Sequence, residues 1–180
     1  MSVKLIILDR DGVINHDSDD YIRAPEDWRP IKGSAEAIAK LNQAGYIVTV
    51  ATNQSGIGRG FFSVEVLTEI HGKMFSHLAK ANARVEQLEY CPDHPNSAGP
   101  FRKPAPGMAL KLLRDFNAEP ESTWFVGDSI SDMKCALNAG CKPALVLTGK
   151  GNKTSVSAEF QDLEIPVFND LEDFTEQLLA

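Results

Sequence analysis

Apolar positions in this chain fall into short β-branched runs that alternate with longer segments of helical spacing. The short runs predict strands at residues 3–8, 46–51, 86–90, 123–126, 144–147 and 167–168. Segments of helical periodicity are expected near residues 33–45, 63–78, 106–113, 130–140 and 170–179. Because helices separate the strands, the pattern predicts an α/β fold, a doubly wound parallel sheet with helices on both faces.

The size and composition of the chain favour one domain that spans residues 1–180. A chain of 180 residues with 43% hydrophobic content can bury a full core, and no internal repeat or linker interrupts it. The predicted elements fill the intervals that separate Asp11, Thr52 and Lys103. We therefore expect no large cap domain.

Composition also limits the expected location and partners. No apolar stretch approaches the ~20 residues of a membrane span, and the amino terminus lacks the regions of a signal peptide. Three cysteines form no evident disulfide framework, which suits a reducing compartment. A net charge of −7 argues against binding to a phosphate backbone. We expect a cytoplasmic monomer that binds neither nucleic acid nor a membrane.

The most informative polar residues are two acids at the end of the first predicted strand. Asp9 and Asp11 follow the apolar run directly, and Gly12 then allows a sharp turn. A carboxylate at the edge of an apolar core costs several kcal/mol unless it is paired or bound to a metal. In an extended stretch, residues two apart point the same way. We therefore expect both carboxylates to face a metal ion in a crevice.

Other polar groups end the neighbouring predicted strands. Thr52, Asn53, Gln54 and Ser55 follow the second strand in the chain, and the segment GDSISD, with Asp128 and Asp132, follows the strand at 123–126. Arg102 and Lys103 lie in a loop just before a helix. Because a crevice forms at the carboxyl ends of parallel strands, one site is expected to hold all these groups.

These motifs, taken in order, resemble those of a known enzyme family. The blocks LDRDGVIN, ATNQSGIGRG, FRKPAPGM and VGDSISDM are similar to those of the haloacid dehalogenase superfamily of aspartyl-phosphate phosphatases. Within it they resemble the branch of histidinol-phosphatases and heptose-bisphosphate phosphatases. The resemblance covers residues 5–148, most of the chain.

The resemblance implies a role for each acid. Asp9 is the candidate nucleophile, and Asp11 is the candidate acid and then base for the two half-reactions. Mg²⁺ is expected as cofactor, held by the carboxylates of Asp9 and Asp128, and the resemblance adds the main-chain carbonyl of Asp11. Asp132 is expected behind them, orienting Lys103 or a metal-bound water. An exposed acid in the first turn of a helix is the alternative for Asp132.

The remaining candidates would bind phosphate or substrate. Lys103 is expected to stabilise the transferring phosphoryl group, and the hydroxyl and main-chain amides of Thr52 and Asn53 are expected to donate to the phosphoryl oxygens. Two loops, 15–30 and 91–102, are expected to close the site. The candidate substrate contacts are Asp17, Asp20, Tyr21, Asn53, Gln54, Ser55 and Arg102. Ordinary solvated loop acids are the alternative for Asp17 and Asp20.

The second loop departs from the family pattern. Relatives of the heptose branch hold zinc there through Cys-x-His and Cys-x-Cys motifs, whereas this chain has Cys91-Pro92-Asp93-His94 and no cysteine between Cys91 and Lys103. Because tetrahedral zinc needs four ligands and Cys91 and His94 offer two, we predict that zinc is absent.

The resemblance implies a Mg²⁺-dependent phosphomonoesterase that removes the 7-phosphate of D-glycero-D-manno-heptose 1,7-bisphosphate, for lipopolysaccharide synthesis. Histidinol phosphate or another small metabolite is the alternative substrate, since only the loops distinguish these enzymes. Polynucleotide 3′-phosphatases share Asp-x-Asp-Gly and Thr-Asn-Gln, so a module that processes nucleic-acid ends is an alternative of another class. The acidic net charge argues against it.

Overall fold

Six parallel strands form the centre of the computed structural model, which describes residues 3–180. The strands are β1 (Leu5–Leu8), β2 (Ile47–Asn53), β3 (Gln87–Cys91), β4 (Trp124–Gly127), β5 (Lys142–Val146) and β6 (Val167–Phe168). Their order in the sheet is β3-β2-β1-β4-β5-β6. The predicted doubly wound parallel sheet is confirmed.

Within residues 3–180, eight α-helices connect or flank the strands. They are α1 (Ser34–Gln43), α2 (Ser55–Gly58), α3 (Val64–Lys80), α4 (Gly107–Asp115), α5 (Ile130–Asn138), α6 (Gly151–Ser155), α7 (Ala158–Gln161) and α8 (Leu171–Leu179). Short 3₁₀ turns cover Pro25–Asp27, Pro95–Ser97 and Pro120–Ser122. The five longer helices were expected from the sequence, whereas α2, α6 and α7 were missed because one turn shows no periodicity.

The buried side chains of β1 explain why helices cover both faces of the sheet. Ile6 and Leu8 pack on one side with apolar residues of α1, α3 and α8. Leu5 and Ile7 point to the opposite side and pack against α4 and α5. A strand buried on both faces reads as a continuous apolar run, which is the pattern at the start of this sequence.

The second strand is longer than the sequence indicated. Residues 52 and 53 were predicted to follow the strand, but they pair with Tyr90 and Cys91 of β3. Polar residue types suggested a turn there, and the hydrogen bonds between parallel strands outweigh that local preference. As a result Thr52 and Asn53 are held by the sheet itself.

The strand order places a crevice beside β1. The chain passes from β1 to β2 on one side, and β4 pairs with β1 on the other. Such a reversal opens a cleft at the carboxyl ends of the two central strands, where open α/β sheets bind ligands. The main-chain N–H of Asp9 donates to the carbonyl of Val126 at 2.9 Å, so the first acid is fixed at this cleft.

No helix within residues 3–180 combines the length and the apolar composition that a membrane span requires.

Candidate active site

A cavity of about 410 Å³ opens at the carboxyl ends of the central strands. It is lined by most of the residues that the sequence singled out: Asp9, Asp11, Asp17, Tyr21, Asn53, Gln54, Ser55, Arg102, Lys103 and Asp128. Thr52 and Asp132 are fully buried behind this lining. Asp20 lies outside it, at a neighbouring surface depression.

Asp9 lies at the floor of the cavity and is tied down through one oxygen. Its Oδ1 accepts the N–H of Arg10 at 2.7 Å and lies 2.9 Å from Nζ of Lys103. Burial, together with the negative charge of Asp132, raises the pKa of Asp9 to about 7, although Lys103 opposes the change. Within residues 3–180, Oδ2 of Asp9 accepts no hydrogen bond, so this oxygen is available to a ligand.

Asp128 follows β4 and faces Asp9 across the cleft. Its Oδ2 accepts the main-chain N–H of Lys150 at 2.7 Å. Two glycines with positive φ, Gly12 and Gly149, approach it so closely that a Cβ on either would lie 2.0 or 2.2 Å from Oδ2. Burial and the charges of Asp132 and Asp9 raise the pKa of Asp128 to about 8. Only glycine allows these loops to enclose the carboxylate.

Lys103 is a buried cation that joins three elements. Its Nζ lies 2.9 Å from Asp9, 2.7 Å from Asp132 and 2.8 Å from the carbonyl of Ala51. Burial alone would lower the pKa of Lys103, but the carboxylates of Asp132 and Asp9 outweigh it and raise that pKa. Asn53 fixes the main chain of Lys103 by accepting its N–H at 3.0 Å and donating to its carbonyl at 3.1 Å.

Asp132 belongs to the start of α5 and is held on two sides. Its Oδ2 accepts hydrogen bonds from the N–H and the hydroxyl of Ser129, forming a capping box, while Oδ1 faces Lys103. The side chain is fully buried. Asp132 is therefore not an exposed acid but a buried partner of Lys103, and its role in orienting Lys103 stays a prediction.

Asp11 is turned away from the acid cluster. Its carboxylate accepts hydrogen bonds from Arg10, from Asn15 at 2.8 Å and from Gln54 at 2.9 Å. Burial would raise the pKa of Asp11, but the Arg10 guanidinium and the amide donors lower it. Asp9 and Asp11 were expected to point the same way. Both line the cavity, but their carboxylates have different partners because the chain turns after β1.

Thr52 lies at the end of β2, behind the lining of the cavity, and its contact with the phosphoryl group stays a prediction. Its hydroxyl is buried and accepts a hydrogen bond from the Gln54 amide at 2.9 Å. The same amide donates to Asp11. Gln54 therefore connects the end of β2 to the candidate acid–base residue.

The loop over residues 15–30 forms one wall of the cavity. Asp17 lies 3.1 Å from the Lys150 ammonium. Tyr21 has a φ of 67° and packs edge-on against Phe61, with ring centroids 5.1 Å apart. Arg59, which also lines the cavity, lies near the Tyr21 ring.

The loop over residues 91–102 is organised by hydrogen bonds around Asp93. The Asp93 side chain accepts the N–H of Gly99 at 3.0 Å, and its carbonyl accepts from the Arg102 guanidinium at 3.2 Å. These contacts place Arg102 at the cavity.

The residues considered for zinc do not gather in the described part of the chain. Cys91 is buried at the end of β3, and Nδ1 of His94 accepts the N–H of Asn96 at 3.1 Å. Across residues 3–180, three or more potential ligand side chains converge at a single place, the cluster of Asp9, Asp128 and Asp132. The absence of zinc stays a prediction.

Sequence reasoning missed two basic residues of the site. Lys150 lines the cavity, but in the sequence it stands between two glycines that lack the spacing of a phosphate-binding loop, so no local motif marks it. Arg10 lies between the two acids, and its side chain is fully buried against Asp11. A basic residue next to two buried acids was the available signal, because buried charges are normally paired.

The acid cluster fits a magnesium ion. One carboxylate oxygen of each of Asp9, Asp128 and Asp132 lies within 4.8 Å of the others, and Lys103 is the cation that contacts two of them. Asp132 is occupied by Ser129 and Lys103, so Asp9 and Asp128 are the side chains that would hold the ion. Crowded, desolvated carboxylates with raised pKa values favour a bound hard cation.

The raised pKa values predict a pH-dependent effect of Mg²⁺ on stability. The ordinary pKa of both acids is 3.8, so between that value and 7 to 8 the metal-free folded state binds more protons than the unfolded state. These two acids therefore destabilise the metal-free protein progressively as the pH rises through that window. Added Mg²⁺ should raise the melting temperature by several degrees at pH 8 and by less at pH 5.5. Scanning calorimetry with Mg²⁺ or EDTA checks this, and an equal increase at both pH values would contradict it.

The chain is similar in sequence to known phosphatases. A family model described as HAD-hydrolase-like matches residues 100–174. The D-glycero-beta-D-manno-heptose-1,7-bisphosphate 7-phosphatase of Neisseria meningitidis is 47% identical over 98% of this chain and 95% of the relative. The Pseudomonas aeruginosa enzyme of the same name is 48% identical over 86% of each chain.

A solved structure is similar over nearly the whole length. The D,D-heptose 1,7-bisphosphate phosphatase of Bordetella bronchiseptica, in complex with magnesium and phosphate, has a TM-score of 0.91 and 42% identity, covering 98% of each chain. The corresponding phosphatase of Burkholderia thailandensis has a TM-score of 0.74 and 37% identity, covering 98% of this chain and 99% of the other.

Proposed function

The chain belongs to the haloacid dehalogenase-like family of heptose-bisphosphate phosphatases, and from this membership we propose that it removes the 7-phosphate of D-glycero-β-D-manno-heptose 1,7-bisphosphate. The observation that supports this most directly is the buried arrangement of Asp9, Lys103 and Asp132 beside Asp128, at the floor of a cavity whose walls carry both basic and acidic side chains.

In the first half-reaction we assign the attack to Oδ2 of Asp9. This oxygen forms a bond to phosphorus while the bond from phosphorus to the sugar oxygen breaks, which leaves a phosphoryl group on Asp9. The negative charge of the bound phosphate opposes the effect of Arg10, so that Asp11 takes up a proton from solvent and gives it to the departing sugar oxygen. Lys103, 2.9 Å from Oδ1, holds the nucleophile in place and offers positive charge to the phosphoryl oxygens.

In the second half-reaction a water molecule attacks phosphorus. The bond from phosphorus to Asp9 breaks, Asp11 takes a proton from the water, and inorganic phosphate leaves with Asp9 restored. Hydrogen bonds from Asn15 and Gln54 keep Asp11 at the edge of the cavity, within the site but off the acid cluster. Bound Mg²⁺ would supply positive charge that reduces repulsion between the phosphate and the carboxylates.

The walls of the cavity support a substrate with a second anionic group. Besides Lys103, three basic side chains line it: Arg59, Arg102 and Lys150. Lys150 already pairs with Asp17, but within residues 3–180 the guanidinium groups of Arg59 and Arg102 form no ion pair, and a monophosphate at the catalytic end leaves them without an anionic partner. The 1-phosphate of a heptose bisphosphate would offer them one, since guanidinium and ammonium groups bind phosphate well.

A comparison of substrates tests the proposal. We expect kcat/KM for heptose 1,7-bisphosphate to exceed that for histidinol phosphate and for heptose 7-phosphate by at least about tenfold, the effect of ~1.4 kcal/mol. Arg59→Gln should reduce the preference over heptose 7-phosphate, because it removes one of the wall charges. Phosphate release measured at saturating Mg²⁺ decides the matter. Equal kcat/KM values on the three compounds would refute the heptose assignment.

We further propose that residues 1–180 act as one domain without a large cap, and as a cytoplasmic monomer. The three cysteines are free and buried, which suits a reducing compartment. The net charge of −7 supports a small substrate rather than nucleic acid, and DNA binding that weakens with salt would contradict this.

A further inference from the structure

Arg10 is a fully buried cation with no role in the reaction steps above. It lies between the candidate nucleophile and the candidate acid–base residue in the chain, and its carbonyl accepts the N–H of Ile14 at 2.8 Å in the turn after β1. An unpaired buried guanidinium would cost several kcal/mol. Its partners therefore indicate what it does.

Most of the Arg10 guanidinium is used to hold Asp11. Nε donates to Oδ1 at 3.0 Å, and Nη2 lies 2.8 Å from Oδ1 and 3.0 Å from Oδ2. This fork fixes the position of the carboxylate as well as neutralising its charge. Lysine could not replace it, since an ammonium is a point donor without the planar geometry.

The remaining nitrogen of the guanidinium is held by a histidine of α3. Nη1 of Arg10 lies 3.1 Å from Nε2 of His71. Because an arginine can only donate, Nε2 accepts, and the His71 ring must be neutral with its proton on Nδ1. Burial and the adjacent Arg10 charge lower the pKa of His71 to about 3, consistent with this geometry. His71 therefore holds the Arg10 guanidinium in addition to packing in the interior.

Asp11 is also fixed from the other side. Asn15 donates to Oδ1 and Gln54 to Oδ2. With Arg10, these donors engage both oxygens, and the side chain is still 20% exposed at the cavity edge. The carboxylate is therefore positioned before any substrate arrives, as efficient proton transfer requires.

We propose that Arg10 and His71 are positioning residues for proton transfer: His71 orients the Arg10 guanidinium, and Arg10 places Asp11 for its work as acid and base. The proposal rests on the assignment of Asp11 in the proposed function. It does not depend on which phosphate ester is the natural substrate.

A double-mutant cycle tests it. Arg10→Met should lower kcat on an alkyl phosphate by about 10²-fold, the scale of general acid–base catalysis, with little change in KM. In an Asp11→Asn background the same change should lower kcat by less than about threefold, because Arg10 acts through Asp11. Independent losses that multiply would overturn the proposal.

A second readout separates positioning from a general structural role. The leaving group of an aryl ester such as p-nitrophenyl phosphate departs as an anion without needing a proton. The loss of kcat in Arg10→Met should therefore be at least about tenfold smaller for this ester than for an alkyl ester. Equal impairment of both esters would mean that Arg10 only supports the fold, and would overturn the proposal.

His71 provides a test that keeps the buried charge pair intact. His71→Gln retains an acceptor for Nη1 and should keep most of the alkyl-ester activity, whereas His71→Leu should lose about tenfold. If Arg10→Met does not fold, these two His71 variants test the proposal by themselves. Equal activity of His71→Gln and His71→Leu would contradict it. Wild-type hydrolysis of simple esters without a preference for heptose bisphosphate would refute the proposed function while leaving this cycle readable.

Discussion

Asp9→Asn should abolish phosphate release, lowering kcat by at least about 10⁴-fold, while the protein stays folded. The variant keeps the volume of the side chain but removes the oxygen that attacks phosphorus. It also removes one negative charge from a cluster in which burial and Asp132 already disfavour ionisation of Asp9. For that reason the metal-free variant should melt no lower than the wild type at pH 8.

The control for this change is Asp162→Asn, the same substitution at an exposed acid just after α7. It should retain full activity. Steady-state phosphate release and circular dichroism melting, run on both variants, give the comparison. Turnover by Asp9→Asn within tenfold of the wild type would rule out Asp9 as nucleophile.

Lys103→Met should damage both stability and activity. Lys103 contacts Asp9, Asp132 and the carbonyl of Ala51, and it is almost wholly buried. Removing one partner of a buried ion pair costs about 3–5 kcal/mol, because the other charges are left without compensation. Loss of its positive charge near the phosphoryl group should lower kcat by about 10²- to 10³-fold.

A second variant separates these two effects. Lys103→Met combined with Asp132→Asn removes the cation and one of its anionic partners. Its free energy of unfolding, measured in urea, should be higher than that of Lys103→Met alone. It should not recover activity, because the charge that faces the phosphoryl group is still missing. An unchanged unfolding midpoint in Lys103→Met would show that the pairs contribute little to the fold.

The fold was predictable because local patterns and tertiary contacts agree. The apolar run that forms β1 is buried on both faces, and the motifs at the ends of β1, β2 and β4 meet at the switch in strand order. Element ends were less predictable. Thr52 and Asn53 looked like turn residues, but pairing with β3 keeps them in the sheet.

The side chains whose roles depend on distant partners were not predictable. The buried Arg10 contacts His71, which is 61 positions away in the chain, and nothing local in the sequence shows that contact. Lys150 reaches the site through a loop after β5 that closes on Asp128. Asp20 was a candidate because it lies in an acidic loop, and it lines a different depression from the one that holds the acid cluster.

Trapping of a phosphorylated Asp9 tests the central claim most directly. Wild-type protein is mixed with substrate and Mg²⁺, quenched in acid within a turnover, reduced with borohydride and analysed by peptide mass spectrometry. The reduced acyl phosphate should appear at Asp9 in the peptide that contains β1, and it should be absent from Asp9→Asn. An unmodified Asp9 in wild-type protein that is turning over substrate, or the modification at Asp11 or Asp128 instead, would contradict the mechanism.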